Sequence, residues 1–249
     1  MARVLLAGES WVTQSTHYKG FDSFTSVTFH SGADDYIGAL NRQGIEVEHM
    51  YAHEVPERFP SDLEALRAYD VIILSDIGAN SFLLPQDTWL HGRSHSNRLR
   101  LLGEWVHAGG GLMMAGGYLS FQGFQARANF ARTPLAEVLP VLMSDYDDRV
   151  ETPEGVLPSL VGSDHPVARA WQSSPPPILG YNRVTAKPGA QVVARVHDDV
   201  LIATAEYGAG RSLVWTCDIG PHWCPVEFCQ WEGFDRLMGA MVQWLQRKI

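Results

Sequence analysis

Residues 109–118 read GGGLMMAGGY, and this stretch indicates the class of fold. A short apolar run that begins and ends at glycines is typical of a central strand buried on both faces of a parallel sheet. Two runs of the same kind are VLLA at residues 4–7 and VIIL at residues 71–74. We therefore expect a parallel sheet with these three strands at its centre.

Helical patterns separate the apolar runs. Tyr36, Ile37 and Leu40 recur at helical spacing after the first run, and residues 99–106 carry a second apolar face before GGGLMMAGGY. This alternation with short connections predicts an α/β fold: a flavodoxin-like, doubly wound, mainly parallel sheet with helices on both faces.

The pattern changes after about residue 145, following an acidic, proline-rich segment. Residues 192–196, 201–205 and 211–216 read as strands, and the final helix carries apolar residues at helical spacing from Phe234 to Leu245. We interpret this half as an antiparallel C-terminal extension of the same sheet. Residues 1–249 are therefore predicted to form a single domain.

Composition and charge narrow the class of protein. The chain has 249 residues, of which 45% are hydrophobic and 19% charged, with a formal net charge of -9. Because no Lys/Arg cluster offsets this charge, we predict no nucleic-acid partner. No apolar run approaches the roughly 20 residues needed to cross a membrane. Residues 1–7 do not resemble a signal peptide, and three cysteines make no disulfide framework, so we expect a cytoplasmic protein.

Polar residues follow four of the predicted strands, at the edge where open α/β sheets bind ligands. We therefore predict a site that either binds or hydrolyses a small molecule of unknown identity, without a cofactor, and in which Glu9, Asp76, Tyr118 and His222 share one cleft. Candidate catalytic residues are Glu9, Tyr118, Ser120, Asp218 and His222, and candidate ligand-binding residues are Ser10, Asp76, Gly116 and Gly117.

Three stretches carry a resemblance to a known family: residues 8–10, residues 109–123 and residues 218–223. Together they resemble the class I glutamine amidotransferase-like superfamily, in particular a bacterial group described as glutamine amidotransferases and related to ThuA-like proteins. The resemblance covers nearly the whole chain and implies the fold named above. It says little about the reaction.

Members that hydrolyse glutamine place a cysteine at the tip of the turn after the central strand, in Gly-x-Cys-x-Gly, and complete the triad with a later His-x-Glu. Here the tip is Tyr118, or Gly117 if the register shifts by one, and His222 is followed by Trp223 and Cys224. A phenol with a pKa of about 10 is a poor substitute for a thiolate. We therefore expect no glutaminase activity.

Two residues of the turn keep more than one interpretation. Ser120 is a candidate nucleophile with His222 as its base and Asp218 or Glu9 as orienter, but we favour a cap on the helix expected after the turn, because serine is a preferred N-cap residue. Tyr118 either packs against a neighbouring loop or hydrogen-bonds a ligand, since tyrosine has an apolar ring and a polar tip.

Cys217, His222, Cys224 and Cys229 lie close together and are ligand types that zinc prefers. Their spacing is not a standard zinc motif, and free cysteines are commonly buried as small hydrophobes. We therefore predict no metal.

Residues 11–24 form a polar stretch with aromatics that we interpret as a loop serving as a lid or subunit contact, in which His17 and Lys19 are either anion-binding or merely solvated. The competing functional class is a structural protein that forms a homo-oligomer through a tryptophan-rich surface at Trp223, Trp231 and Trp244.

Overall fold

The computed structural model describes residues 3–161 and 164–249. The strands are β1 Val4–Gly8, β2 Ser10–Lys19, β3 Asp22–Ser31, β4 Val47–Met50, β5 Val71–Ser75, β6 Gly111–Ala115, β7 Val141–Leu142, β8 Arg149–Val156, β9 Ser159–Leu160, β10 Ile178–Asn182, β11 Thr185–Ala186, β12 Gln191–Val196, β13 Asp199–Tyr207 and β14 Gly210–Trp215. The helices are α1 Asp34–Arg42, α2 Val55–Arg58, α3 Leu63–Leu66, α4 Asn80–Leu83, α5 Gln86–Trp89, α6 Arg98–His107, α7 Leu135–Val138, α8 Pro166–Arg169, α9 Val226–Cys229 and α10 Phe234–Leu245, with short 3-10 turns at Phe124–Ala126 and Phe130–Arg132.

The central sheet has eight strands in the order β4-β1-β5-β6-β14-β13-β12-β9. The first five of these strands are parallel, and β13, β12 and β9 continue the sheet in antiparallel fashion. The predicted α/β class, the flavodoxin-like sheet and its antiparallel extension are therefore confirmed. One detail is new: β14, the last strand of the chain, returns to the centre and pairs in parallel with β6.

Alternate residues of the central strands enter two separate hydrophobic cores. In β6, Met113 faces the core under α1 and α10, whereas Leu112 and Met114 face the core under α6 and α7. Burial on both faces explains why these strands are apolar throughout instead of alternating. Within the described ranges, no helix has the length and apolar character needed to cross a bilayer.

The predicted loop at residues 11–24 is wrong. Residues 10–31 form a hairpin of β2 and β3, which pair in register from Ser10–Ser31 to Lys19–Asp22. The period-2 signal is weak because aromatic and valine side chains lie on both faces of a ribbon that no core covers on either side. Polar residues lie between these apolar side chains, which explains why a loop was predicted here.

The predicted tryptophan-rich surface is also wrong. Trp223 and Trp244 are buried in the core beside α10, and Trp231 is partly buried against it. Large aromatic rings at helical or strand-end positions fill core volume more often than they cover a surface. Most of the exposed aromatic residues lie instead on the β2–β3 hairpin.

Gly210 lets α6 approach the first residue of β14. A Cβ atom there would collide with the carbonyl oxygens of Val106 and Gly110. We expect Gly210→Ala to lower the free energy of unfolding by about 1–3 kcal/mol, because a packed backbone cannot yield without strain.

Urea denaturation measures this loss. Gly78→Ala is the matched control, because its Cβ would meet Ala128 Cα at an ordinary 3.5 Å. Equal stability of the two variants would contradict the assignment of a close contact at Gly210.

Candidate functional site

The candidate site lies at the carboxyl edge of the parallel strands. Glu9 follows β1, Asp76 follows β5, Tyr118 lies after β6, and Asp218 and His222 follow β14. Because β1, β5, β6 and β14 are consecutive in the sheet, their ends meet. They enclose a cavity of about 180 Å³ lined by Glu9, Trp11, Gly32, Asp76, Tyr118, Asp218, Pro221 and His222.

Glu9 and Asp76 enter this cavity from backbone positions of positive φ, 46° and 43°. Such a conformation is uncommon for non-glycine residues and turns the chain sharply at the strand end. One Glu9 oxygen accepts a hydrogen bond from Ser75 Oγ at 2.6 Å. Asp76 Oδ1 accepts one from the Leu119 N–H at 2.7 Å. Both carboxyl groups are therefore held in place by neighbouring strand ends.

Asp218 and His222 form a hydrogen-bonded pair. His222 Nδ1 lies 2.6 Å from Asp218 Oδ2, and the same oxygen accepts the Trp223 N–H at 3.0 Å. The Asp218 side chain is only 6% exposed, whereas that of His222 is 50% exposed. The hydrogen bond to Asp218 raises the pKa of His222 against the opposing effect of partial burial. Nε2 is therefore the ring nitrogen left for a ligand.

The two other carboxyl groups, of Glu9 and Asp76, hold their protons more tightly than exposed carboxyl groups do. Burial, followed by the neighbouring Asp76 and Asp218 carboxylates, raises the pKa of Glu9 well above its usual value, although the hydrogen bond from Ser75 opposes this. Burial also raises the pKa of Asp76 to about 6, with a further contribution from Asp218, while Leu119 N–H and His222 oppose the shift. Like charges and a low dielectric thus favour protonated carboxyl groups here.

Gly117 leaves open the space between two of these carboxylates. A Cβ on Gly117 would lie 2.9 Å from Asp76 Oδ1 and 3.1 Å from Asp218 Oδ1, and its φ of 140° disfavours any other residue. Position 117 therefore requires glycine, and a side-chain nucleophile there would not fit. Gly116, the preceding residue, donates its N–H to the carbonyl groups of Trp215 and Cys217 and joins β6 to β14.

A buried network missed by the sequence analysis supports Gly117. Asn182 accepts the Gly117 N–H at 3.0 Å and donates to the Gly117 carbonyl at 3.2 Å. Asp148 accepts from Asn182 at 2.8 Å and from the Gln122 and Gly123 N–H groups at 2.9 Å each. Asn182 ends β10 and Asp148 precedes β8, so neither follows a strand of the central sheet. Only their burial next to the turn reveals their role.

Tyr118 packs at the entrance of the cavity. Its ring lies edge-on to the His222 ring with centroids 4.9 Å apart, and the Arg149 guanidinium lies 4.7 Å from the ring centroid. Burial raises the pKa of Tyr118, and Glu151 adds to the shift. The packing interpretation of Tyr118 is thus supported, while contact with a ligand stays a prediction.

Four predicted site residues lie outside the cavity lining: Ser10, Gly116, Gly117 and Ser120. Ser10 Oγ accepts the Ala52 N–H at 2.8 Å, and the buried Ser120 accepts the Asp76 N–H at 3.1 Å. The favoured interpretation of Ser120 as a helix cap is wrong, because the chain after the turn continues through irregular turns to the 3-10 turn Phe124–Ala126. Ser120 instead holds the backbone of Asp76.

The cysteines lie beneath the cavity, in the core. Cys224 Sγ and Cys229 Sγ are 3.8 Å apart, and all three thiols are free and buried. The ring of His222 belongs to the cavity and pairs with Asp218. In the part of the chain that the structure describes, no group of three or more His, Cys, Asp or Glu side chains could hold a metal ion. The absence of zinc stays a prediction.

Asp76 makes the stability of the fold depend on pH. Its pKa rises from 3.8 to about 6 on folding, so the folded chain holds this proton more tightly than the unfolded chain. The corresponding stabilisation is complete below about pH 4 and is lost as the pH rises through about 6. We expect Asp76→Asn to raise the free energy of unfolding by about 1–2 kcal/mol near pH 8 and to bring no gain near pH 4.

Urea denaturation at the two pH values tests this expectation. Asparagine retains an oxygen acceptor for Leu119 N–H and tolerates positive φ, which limits other effects of the change. Asp145→Asn is the control, since that side chain is 78% exposed. A gain of the same size at both pH values would show that titration of Asp76 is not its cause.

Comparison with known proteins agrees with the fold described above. The family described as "Putative glutamine amidotransferase" matches residues 3–247. Two solved structures are each 42% identical with a TM-score of 0.93: the cytoplasmic protein STM3548 from Salmonella typhimurium, aligned over 97% of this chain and 98% of that one, and the cytoplasmic protein STM1381 from Salmonella typhimurium LT2, aligned over 98% and 99%.

More distant similarity concerns the fold alone. A ThuA-like protein from Bacteroides uniformis ATCC 8492 aligns over 98% of this chain and 91% of that one, with 11% identity and a TM-score of 0.60. No curated protein matches the chain. The match over nearly the full length, together with the sheet order and the glycine turn after β6, places the chain in the glutamine amidotransferase-like family, and the predicted family resemblance is confirmed.

Proposed function

We propose that this chain binds a small, uncharged polar molecule in the cavity at the strand ends and hydrolyses it by acid–base chemistry, without acting on glutamine. One observation carries the proposal: the His222–Asp218 pair, joined at 2.6 Å, faces the same 180 Å³ cavity as Glu9 and Asp76. A histidine oriented by a carboxylate and opposed by carboxyl groups of raised pKa is the combination that general acid–base catalysis requires.

The roles follow from the hydrogen bonds. Asp218 orients the imidazole of His222 through Nδ1, so that Nε2 accepts a proton from a water molecule as that water attacks the substrate. Asp76, with a pKa of about 6, is the general acid that protonates the leaving group. Glu9, whose pKa burial also raises, serves in its protonated form as a hydrogen-bond donor to the substrate.

The lining of the cavity supports a neutral substrate. Among the described residues that form it, three carry carboxyl groups and none is lysine or arginine. A carboxylate or phosphate would enter without a cationic partner and close to other negative charges, which costs free energy. A cavity of about 180 Å³ is also smaller than most ligand pockets, which supports a compact substrate.

The absence of glutaminase activity is supported by the position of the thiols. None of the three cysteines lines the cavity, and burial is the main cause that raises the pKa of Cys217 and of Cys224. The thiolate is the reactive form of cysteine. The turn after β6 also leads into no long helix whose N-terminal N–H groups would stabilise an oxyanion.

We further infer a cytoplasmic location and a single domain. The relatives at 42% identity are described as cytoplasmic proteins, and both halves of this chain contribute strands to one sheet. The assembly function remains the second candidate, because of the exposed aromatic residues of the β2–β3 hairpin.

Binding of matched neutral and anionic compounds tests the choice of substrate class. We expect neutral amides, esters or polyols to raise the melting temperature, and carboxylates of the same size to have no effect, because the lining lacks a lysine or arginine partner. Thermal unfolding against such a panel measures this. Tighter binding of the carboxylates would contradict the proposal.

Substitution of the histidine separates catalysis from binding. We expect His222→Gln to lower kcat for a substrate found in that panel by about 10²–10⁴-fold with little change in KM, because Nε2 transfers the proton and the cavity shape is kept. His91→Ala, at an exposed histidine remote from the cavity, is the control. An unchanged kcat in His222→Gln would remove the histidine from the mechanism.

Glutamine itself provides the third test. We expect no release of ammonia above background from purified protein, because no thiol reaches the cavity. A coupled glutamate dehydrogenase assay measures it. Turnover lost in Tyr118→Phe would establish a phenol nucleophile against this expectation, and turnover lost in Cys224→Ser would establish a relocated thiol.

A further inference from the structure

The β2–β3 hairpin stands apart from the rest of the molecule. Its two ten-residue strands pair with each other, and within the described ranges neither pairs with a third strand. A two-stranded ribbon on its own is marginal in water, because it buries little apolar surface. Both of its long edges also carry backbone groups free to pair with another strand. The hairpin therefore favours contact with another protein surface.

Its side chains support the same conclusion. Seven large apolar residues of the hairpin are exposed, including Phe21 at the tip, which is fully exposed, and Tyr18, which is 79% exposed. The other five are Trp11, Val12, Phe24, Val27 and Phe29. At about 200 Å² for a whole aromatic side chain, these residues expose roughly 800 Å², which is about the area that each partner contributes to a standard interface.

The exposed residues lie on both faces of the ribbon. Trp11 and Phe24 share one face, and Val12, Val27 and Phe29 share the other, as their cross-strand pairs show. A partner that contacts only one face would leave the second exposed. In a dimer with one two-fold axis, the partner's hairpin can cover one face of each ribbon and the partner's body the other.

We propose that two copies of this chain form a dimer in which their β2–β3 hairpins pair antiparallel along their whole length. The hairpin spans residues 10–31 and contains only Lys19 and Asp22 as charged residues, so it is neutral while the rest of the chain carries the net charge of -9. Two bodies of the same negative charge repel each other. Neutral, apolar hairpins are the surface on which two copies meet without that repulsion.

The pairing would also complete the cavity described above. A ten-residue strand is about 33 Å long, so the tip of one hairpin reaches the base of the other. At that base, Trp11 lines the cavity and is 46% exposed. The tip of the partner's hairpin would thus cover Trp11 at the cavity wall, whether or not the cavity is catalytic.

Cross-linking of single-cysteine variants tests the antiparallel arrangement. Gln14 lies at the middle of the hairpin and Ser23 next to its tip, both exposed, whereas the three native cysteines are buried. With a short bis-maleimide, we expect Gln14→Cys to form a covalent dimer in high yield, because the two-fold axis passes close to that position. Ser23→Cys should remain uncross-linked, since antiparallel tips lie roughly 30 Å apart. Cross-linking of Ser23→Cys alone would overturn the antiparallel arrangement.

The mass in solution tests the dimer itself. By light scattering, we expect the native chain at about 50 µM to have twice the mass of one chain, and the double variant Phe21→Ser/Phe24→Ser to weaken dimerisation by about 100-fold or more. Both residues are exposed, so the variant should retain the native circular dichroism spectrum. Trp89→Ser, another exposed aromatic position, is the control and should leave the dimer unchanged. A monomeric native chain would overturn the proposal, as would a double variant that dimerises normally.

Discussion

Burial of carboxyl groups around Gly117 is the constraint on which the candidate site depends. Asp76 and Asp218 approach the position that a Gly117 side chain would occupy, and Glu9 lies 6% exposed beside them. Three acids at one strand edge are tolerated because neighbours hold them: Ser75 donates to Glu9, Leu119 to Asp76, and Trp223 and His222 to Asp218. The remaining repulsion is relieved by protonation, which makes proton transfer available to a ligand.

In this arrangement, the turn after β6 lacks the cysteine nucleophile that glutaminases of this superfamily have there. In glutaminases of this superfamily the residue after the strand is a nucleophile, so the turn must present a thiol. In this chain, the two residues of positive φ that lie nearest to β6 in the turn are Gly117 and Phe121. Neither carries a reactive group. Tyr118 of this turn lines the cavity, and hydrogen bonds with Asn182 and Asp148 hold the backbone of the turn. The groups of the proposed site therefore belong to the walls of the cavity and not to a nucleophile in the turn.

The hairpin and the cavity are connected through one short segment. Glu9 is the single residue between β1 and β2, and Gly32, after β3, donates its N–H to the Glu9 carbonyl at 3.0 Å. Trp11 begins the hairpin and lines the cavity. A displacement of the hairpin would therefore also move the backbone that orients the Glu9 carboxyl group. Assembly and ligand binding would share these few residues, so the two candidate functions are compatible.

The sequence by itself determined the sheet, the family and the edge at which the candidate site lies. Wholly apolar runs such as residues 71–74 and 112–115 have few alternatives to buried parallel strands, and polar residues at their ends must then converge. The roles of Asp148 and Asn182 and the hairpin at residues 10–31 were decided only in three dimensions. A network such as theirs depends on contacts between residues far apart in the chain, and a ribbon without a core carries no one-sided pattern to reveal it. The burial of Trp223 and Trp244 was also decided only in three dimensions. A tryptophan ring is compatible with both a core and a surface position, so its place cannot be predicted from the sequence alone.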